Sequence, residues 1–232
     1  FTPLRFLPPQ LMNWQGRAVV TDPDVFAVGD VYELLQMDMR GATVMGRHRS
    51  DKADKRAQVA TSVMLLDCAR LRHWDAQKEF EQLFRFEKDY KEWMVLAYED
   101  PGSIGYLPDC WNDFDHLDGN TRLLHNTKRK TQPWKTGLPV DYTPADKFKD
   151  KPLLATANRL RARVFGEYGL LGRYQEHPDR RQQEFFFGLL KECLRDGYIS
   201  EDLVRDEISK DHVRHDAFDV LERTPDLQAR AA

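Results

Sequence analysis

Apolar runs alternate with charged or proline-rich stretches along the chain, and each run predicts an element. Residues 1–16 carry four apolar anchors, Leu4, Phe6, Leu7 and Leu11, broken by Pro3, Pro8 and Pro9. Proline fixes φ and removes a donor, so this stretch predicts an extended segment followed by one short helical turn. Arg17-Ala18-Val19-Val20-Thr21 is a continuous apolar run that stops at Asp22-Pro23-Asp24, the pattern of a central strand buried on both faces. Asp30 is placed to cap a short helix that turns Val31, Leu34 and Leu35 to the core. Residues 47–58 are charged and polar and predict a surface loop. Val63-Met64-Leu65-Leu66, ending at Asp67, predicts a second buried strand. Asp75 is placed to cap a helix with Phe80, Leu83 and Phe84 on one face at helical spacing.

Residues 98–121 are rich in Gly, Pro, Asp and Asn and predict loops around one short strand. Leu123-Leu124 then leads into His125 and the basic run Lys128-Arg129-Lys130. Beyond Pro152 the texture changes. Leu153, Ala157, Leu160 and Val164 recur at helical intervals, and Phe185, Phe186, Leu189, Leu190 and Cys193 form a second stripe stopped by Gly197. Ser200 is placed to cap a third helix with Leu203, Val204 and Ile208. The expected organisation is an α/β domain over 1–150 and a helical extension over 151–232.

Hydrophobic residues make up 41% of the 232 and charged residues 31%, enough to bury a core in a folded domain. A formal net charge of −3 gives no global attraction to nucleic acid or to an anionic membrane. Cys68, Cys110 and Cys193 are odd in number, widely spaced and lack a CxxC, which fits a reducing, cytoplasmic setting rather than a disulfide framework or a structural zinc site. No apolar run approaches the length of a membrane span, and no signal peptide is visible.

Chemistry enters at Asp22-Pro23-Asp24. In open α/β sheets ligands bind beyond the carboxyl ends of strands. Two carboxylates there suit Mg²⁺ or Mn²⁺, which take oxygen ligands and leave positions for substrate phosphates. Read alone, Asp-x-Asp is as common in simple turns. His125 opens a loop dense in donors and cations, His125 to Lys135, and an imidazole completes the sphere of Mn²⁺ more naturally than that of Mg²⁺. Lys128 and Lys130 are suited to a diphosphate, although a basic run is by itself an ordinary solvated face. Trp111 and Asn112 read as a strand cap and a turn, His212 and His215 as an exposed helix face, and Cys68 as packing.

In this order the segments resemble family 8 of the retaining glycosyltransferases, whose members include glycogenin and bacterial lipopolysaccharide galactosyltransferases. The matching stretches are Gly16 to Asp24 with Val28-Gly29-Asp30-Val31, and Thr61 to Asp67, similar to the family's NSGVMLID. They continue with Leu107 to Asn112, similar to its LP-x-x-WN, and His125 to Trp134, similar to its H-x-x-G-x-x-KPW loop. The resemblance covers about residues 5–135. It implies a type-A glycosyltransferase fold, Rossmann-like and N-terminally incomplete. It also implies a divalent metal, usually Mn²⁺, on Asp22, Asp24 and His125, bridging the diphosphate of a nucleotide-diphosphate sugar such as a UDP-sugar. Transfer to a carbohydrate, lipid-linked or protein acceptor would retain anomeric configuration. Lys128, Lys130, Gln132 and Trp134 would line the donor phosphates, and Glu99-Asp100 stands in the stretch of the family's acceptor-side DQ pair.

Several positions depart from the family. Thr61 and Val63 replace its Asn and Gly, the last loop is one residue longer, and Gln132 stands where its lysine precedes Pro-Trp. Two βα units for the nucleotide need about 60 residues, whereas 21 precede Asp22. The chain alone is therefore expected to hold metal and diphosphate poorly and to lack turnover. Two other readings of the same residues stand beside the transferase. One is a nucleotidyltransferase or phosphatase, which would add acidic ligands to Asp22 and Asp24. The other is a non-catalytic scaffold, whose ligand binding would not depend on them.

Overall fold

The computed structural model describes residues 2–49, 59–141 and 172–227. The fold is mixed α/β, in two compact units divided between Thr127 and Lys128. The first unit begins with a 3₁₀ turn, Thr2–Phe6, and a single helical turn, α1 (Pro8–Leu11). It continues through β1 (Arg17–Thr21), β2 (Val25–Ala27), α2 (Val31–Gln36), β3 (Val44–His48) and β4 (Val59–Asp67). α3 (Ala76–Phe84), α4 (Tyr90–Met94), β5 (Ile104–Leu107), β6 (Asp113–Phe114) and β7 (Leu123–His125) complete it. Asp30 and Asp75 cap α2 and α3 as their positions predict, accepting from Tyr32 N and Lys78 N at 2.8 and 3.0 Å.

Four strands form one sheet in the order β1-β4-β3-β5, and three short ones form a second, β2-β7-β6. β4 is the strand on which the first sheet is built: eight of its nine residues are buried. Its alternation sends Met64 and Leu66 into a core with Phe6, Trp74 and Trp93. Val63 and Leu65 point into the opposite core with Leu34, Met45, Trp111 and Leu123. Between Gly46 and Arg47 the register of β3 on β4 jumps from Met64 to Ala60, so Thr61, Ser62 and Val63 leave the β3 ladder. Gly46 permits this, because a Cβ there would meet the Ala60 carbonyl oxygen at 2.8 Å.

Two expectations need correction in this unit, and one helix places its residues in a way the spacing did not specify. β1 is an edge strand rather than a central one, paired only with β4 in the first sheet and partly exposed along its length. Residues 44–48 are a strand, so the predicted loop 47–58 opens later; residues 50–58 lie outside the described ones. On α3 the aromatic face points outward, with Phe84 75% exposed, while Glu79 is buried. Trp93 Nε1 and Lys88 Nζ both bond the Glu79 carboxylate, at 3.2 and 2.8 Å, which is how an acid comes to occupy the inner face.

In the second unit, turns at Arg129–Thr131 and Pro133–Lys135 precede an isolated bridge between Pro139 and Arg173. Three helices follow: α5 (Arg180–Arg195), α6 (Glu201–Ser209) and α7 (Ala217–Arg223). The Phe185–Cys193 stripe is on α5 as expected, and Gly197, at φ +74°, follows its end. Phe187 packs with Ala217, Val220 and Leu221. Ser200 Oγ caps α6 at Leu203 N. The expected helix through Leu153 and Val164, and the expected boundary at 150/151, fall outside the described residues. His212 and His215 lie beyond the end of α6, paired with Glu207 and Asp211 rather than with each other. Among the described residues no helix is long and apolar enough to cross a membrane.

Arg214 ties this unit together. Its buried guanidinium bonds both oxygens of Asp216 and the side chain of Gln183, and its amide donates to the Trp134 carbonyl at 2.7 Å. The Arg214 bonds hold the Asp216 carboxyl below its usual range. Such a carboxylate stabilises the fold fully above its unfolded value of about 3.9 and loses that contribution as pH falls through the lowered value. Asp216→Asn should therefore cost about 1 kcal/mol at pH 7, a modest figure because Asp216 is half exposed. The difference should vanish in acid, as urea midpoints measured across pH would show.

Candidate metal centre

Asp22 and Asp24 lie in the turn where the chain leaves the first sheet for the second. Val25 N donates to Asp22 O at 3.1 Å, closing a four-residue turn around Pro23, whose fixed φ suits the second position. Asp22 N is held by Ser62 O at 2.8 Å. On the facing strand, β7 pairs with β2 so that His125 stands opposite Val25, and Asn126 N donates to Asp24 O at 3.2 Å. The two sheets thus converge on three side chains. One carboxylate oxygen each of Asp22 and Asp24 and one ring nitrogen of His125 all lie within 4.8 Å of one another. Two carboxylates and an imidazole are the ligand types that suit Mn²⁺, and the spacing fits one divalent ion.

The partners of these side chains are specific. Arg5 grips Asp22 through two guanidinium nitrogens, its Nε at 2.8 Å from Oδ1, while its Nη1 donates to Thr61 Oγ1 at 2.8 Å. The Thr61 hydroxyl donates in turn to Met94 O at 2.8 Å. Arg5 is placed there by its neighbour: the Phe6 ring stacks on Trp93 at 4.1 Å and tilts against Trp74 at 4.8 Å. His125 is buried, with Nε2 3.4 Å from Asp24 Oδ1 and Nδ1 2.9 Å from Asn112 Oδ1. The Phe114 ring closes on His125 edge-on, and the Arg47 guanidinium covers the Phe114 ring at 4.3 Å.

Beside this cluster lies a cavity of about 610 Å³. Arg5, Arg49, Thr61, Ser62, Tyr90 and His125 are on its wall. The lining combines two arginines, Arg5 and Arg49, and the hydroxyls of Thr61, Ser62 and Thr127 with aromatic and apolar groups such as Tyr90, Met94 and Phe114. That mixture suits a ligand with both anionic and polar, ring-shaped parts.

Of the residues singled out in the sequence, Asp22, Asp24 and His125 come together. Glu99 and Asp100 line no part of the cavity. Glu99 bonds Trp74 Nε1 and His73 Nε2, each at 2.8 Å, and Asp100 caps the 3₁₀ turn Pro101–Ser103 through Gly102 N. Lys128, Lys130, Gln132 and Trp134 belong to the second unit. There Lys128 and Lys130 are exposed, Lys130 O accepts from Gln175 N, and Trp134 packs on Phe186 with ring centres 5.1 Å apart. Cys68 is buried, and burial pushes its thiol up, aided by the Asp67 charge, in keeping with a packing role. A second group, Asp113, His116 and Asp118, also clusters, but its carboxylates serve a loop: Asp113 accepts from Thr121 Oγ1 and Asp118 from Asn120 N.

Arg5 and Asn112 were not legible as site residues. Arg5 sits among apolar anchors with no periodic signal, and Asn112 reads as a turn former. Only the long-range contacts, 17 residues from Arg5 to Asp22 and 13 from Asn112 to His125, reveal them.

No protein-family profile matches the sequence, and no curated protein matches it. Solved structures do, among them glycosyltransferases. GlyE from Streptococcus pneumoniae TIGR4 is 13% identical, with 67% of this chain and 42% of that one covered and a TM-score of 0.47. The galactosyltransferase LgtC, solved with donor and acceptor sugar analogs, is 14% identical over 66% of each chain, with a TM-score of 0.41. Mouse xyloside xylosyltransferase 1 is 14% identical over 55% of this chain and 64% of that one, at 0.38. The chain spans less than half the length of GlyE in the first of these alignments.

Arg5 and Asp22 are respectively 15% and 21% exposed, so neither charge is well solvated. Arg5→Gln should destabilise the first unit by about 2 kcal/mol, because the carboxylate then stays largely buried without its counter-charge. Denaturant midpoints followed by tryptophan fluorescence measure this; an unchanged midpoint would show the pair to be energetically idle.

Proposed function

We propose that the first unit carries the donor site of a metal-dependent glycosyltransferase that takes a nucleotide-diphosphate sugar, in the first instance a UDP-sugar, and transfers the sugar with retention. The observation that carries this reading is the convergence of Asp22, Asp24 and His125 beside a cavity whose lining includes Arg5 and Arg49. A phosphatase or nucleotidyltransferase would call for further acids around the aspartates. Among the described residues the third member of the cluster is an imidazole instead.

In this reading Asp22, Asp24 and His125 hold the divalent ion, which when bound supplies neutralising charge for the diphosphate leaving group. Arg5 keeps the Asp22 carboxylate in one orientation through its paired N–H groups, a fork geometry that a lysine would not reproduce. Arg49 adds positive charge to the cavity wall where phosphate oxygens would lie. Thr61 and Ser62, carried out of the β3 ladder by the break at Gly46, put backbone and hydroxyl groups at the same wall. Tyr90 and Phe114 give the cavity flat apolar surfaces that exclude water from a bound sugar ring.

Calorimetric titration with Mn²⁺ and UDP tests the site. Weak, metal-dependent UDP binding is expected for the wild type, and its loss in both Asp24→Ala and His125→Ala. A folded wild type that ignores UDP with and without Mn²⁺ would rule out the UDP-donor reading. Binding that survives both substitutions would place the ligand somewhere other than these residues.

A further inference from the structure

Asn112 is wholly buried, and its side-chain amide is bonded at both ends. Its amide Nδ2 donates to Ser62 Oγ at 2.9 Å, and its Oδ1 lies 2.9 Å from His125 Nδ1. Its backbone carbonyl accepts from Arg47 Nη1 at 2.6 Å. Arg47 is itself fixed, by its stack on Phe114 and its ion pair with Asp109 at 3.1 Å. A neutral imidazole has one N–H and one lone pair, and the partner of one nitrogen decides the state of the other. With the amide nitrogen turned to Ser62, the oxygen faces the ring, and an acceptor there pairs with a protonated Nδ1 and leaves Nε2 its lone pair.

That lone pair looks toward Asp24. The Nε2 to Oδ1 distance of 3.4 Å is longer than an ordinary N–H···O bond of about 2.7–3.2 Å. It fits two atoms that share an ion at about 2.1 Å each. The opposite tautomer would require the Asn112 amide to turn over, with Ser62 donating to Oδ1 and His125 Nε2–H pointing at Asp24.

We propose that Asn112 is a positioning residue: pinned by Ser62 and Arg47, it holds the proton on His125 Nδ1 and so presents the Nε2 lone pair to a divalent cation shared with Asp22 and Asp24. The proposal rests on the metal-centre reading above and adds to it a residue outside the ligand set. Ser62 and Arg47 belong to the same device, one orienting the amide and the other anchoring its backbone. The three link β3, β4 and β7 around a single ring.

Two readouts test this separately. Two-bond ¹⁵N–¹H spectra of the metal-free full chain, recorded at one pH where the ring is neutral and assigned with His125→Gln, report the tautomer. Wild type should show protonated Nδ1 and bare Nε2. Mn²⁺ affinity, read from the free-ion resonance, should fall about 10- to 100-fold in Asn112→Leu. It should stay within a few-fold of wild type in Asn112→Asp, which keeps an acceptor against Nδ1. Ser62→Ala, a smaller change, should mix the tautomers and weaken Mn²⁺ several-fold even where Asn112→Leu fails to fold. A wild-type ring protonated on Nε2, or Mn²⁺ bound equally well by wild type, Asn112→Leu and Ser62→Ala, would overturn the proposal and leave the metal centre standing. A folded wild type that binds no Mn²⁺ would sink the metal centre and the proposal together.

Discussion

The burial of β4 on both faces is the constraint from which the rest of the first unit follows. A strand with eight of nine residues inside must be covered by apolar layers above and below, and those layers recruit most of the large side chains of the unit. Fully burying a Leu or Met side chain is worth roughly 1.5–3 kcal/mol, so Val63 to Leu66 fix the register of β1 and β3 firmly. A slip of one residue would exchange the two cores, sending Met64 and Leu66 to the side now filled by Val63 and Leu65. Such a strand cannot tolerate much irregularity, and the one it has against β3 lies within it, between Ala60 and Met64. Thr61, Ser62 and Val63 part from β3 at Gly46, and there the site begins.

The same constraint explains the chemistry of the opening. Phe6 fills the core over β4 between Trp74 and Trp93, and this carries Arg5 to Asp22. Trp111 fills the opposite core and leaves its neighbour Asn112 at the Nδ1 edge of the His125 ring. Arg5 and Asn112 are thus each delivered by an adjacent residue whose burial is apolar and strong. Sites supported in this way keep ligand groups in place without a substrate, which is the condition for holding an ion at several ligands at once.

Much of this was legible in the sequence, and the remainder was illegible for physical reasons. The doubly buried β4 could be read from Val63-Met64-Leu65-Leu66 because a continuous apolar run bounded by polar residues has few other uses. The same argument misplaced β1: Ala18, Val19 and Val20 are an edge strand, and period alone does not say how many neighbours a strand has. On α3, likewise, spacing gives the face but not which way it turns. Phe80 and Phe84 have helical spacing, yet Glu79 goes inward because Lys88 and Trp93 meet its carboxylate, and those partners are 9 and 14 residues away. Asp22, Asp24 and His125 could be grouped as candidate ligands by residue type and order, whereas Arg5 and Asn112 depend on contacts that only the folded chain makes. Glu99 and Asp100 show the reverse, since their acidic character is taken up by Trp74, His73 and a local turn.

The central claim is that two aspartates from a turn between sheets and a histidine from β7 form one cation site. Its most direct test is an anomalous diffraction map from crystals of the chain grown with Mn²⁺ and UDP. The account predicts a manganese peak within ligand distance of Asp22, Asp24 and the Nε2 of His125. A fully occupied peak elsewhere, for instance among Asp113, His116 and Asp118 with these three residues left unliganded, would contradict it.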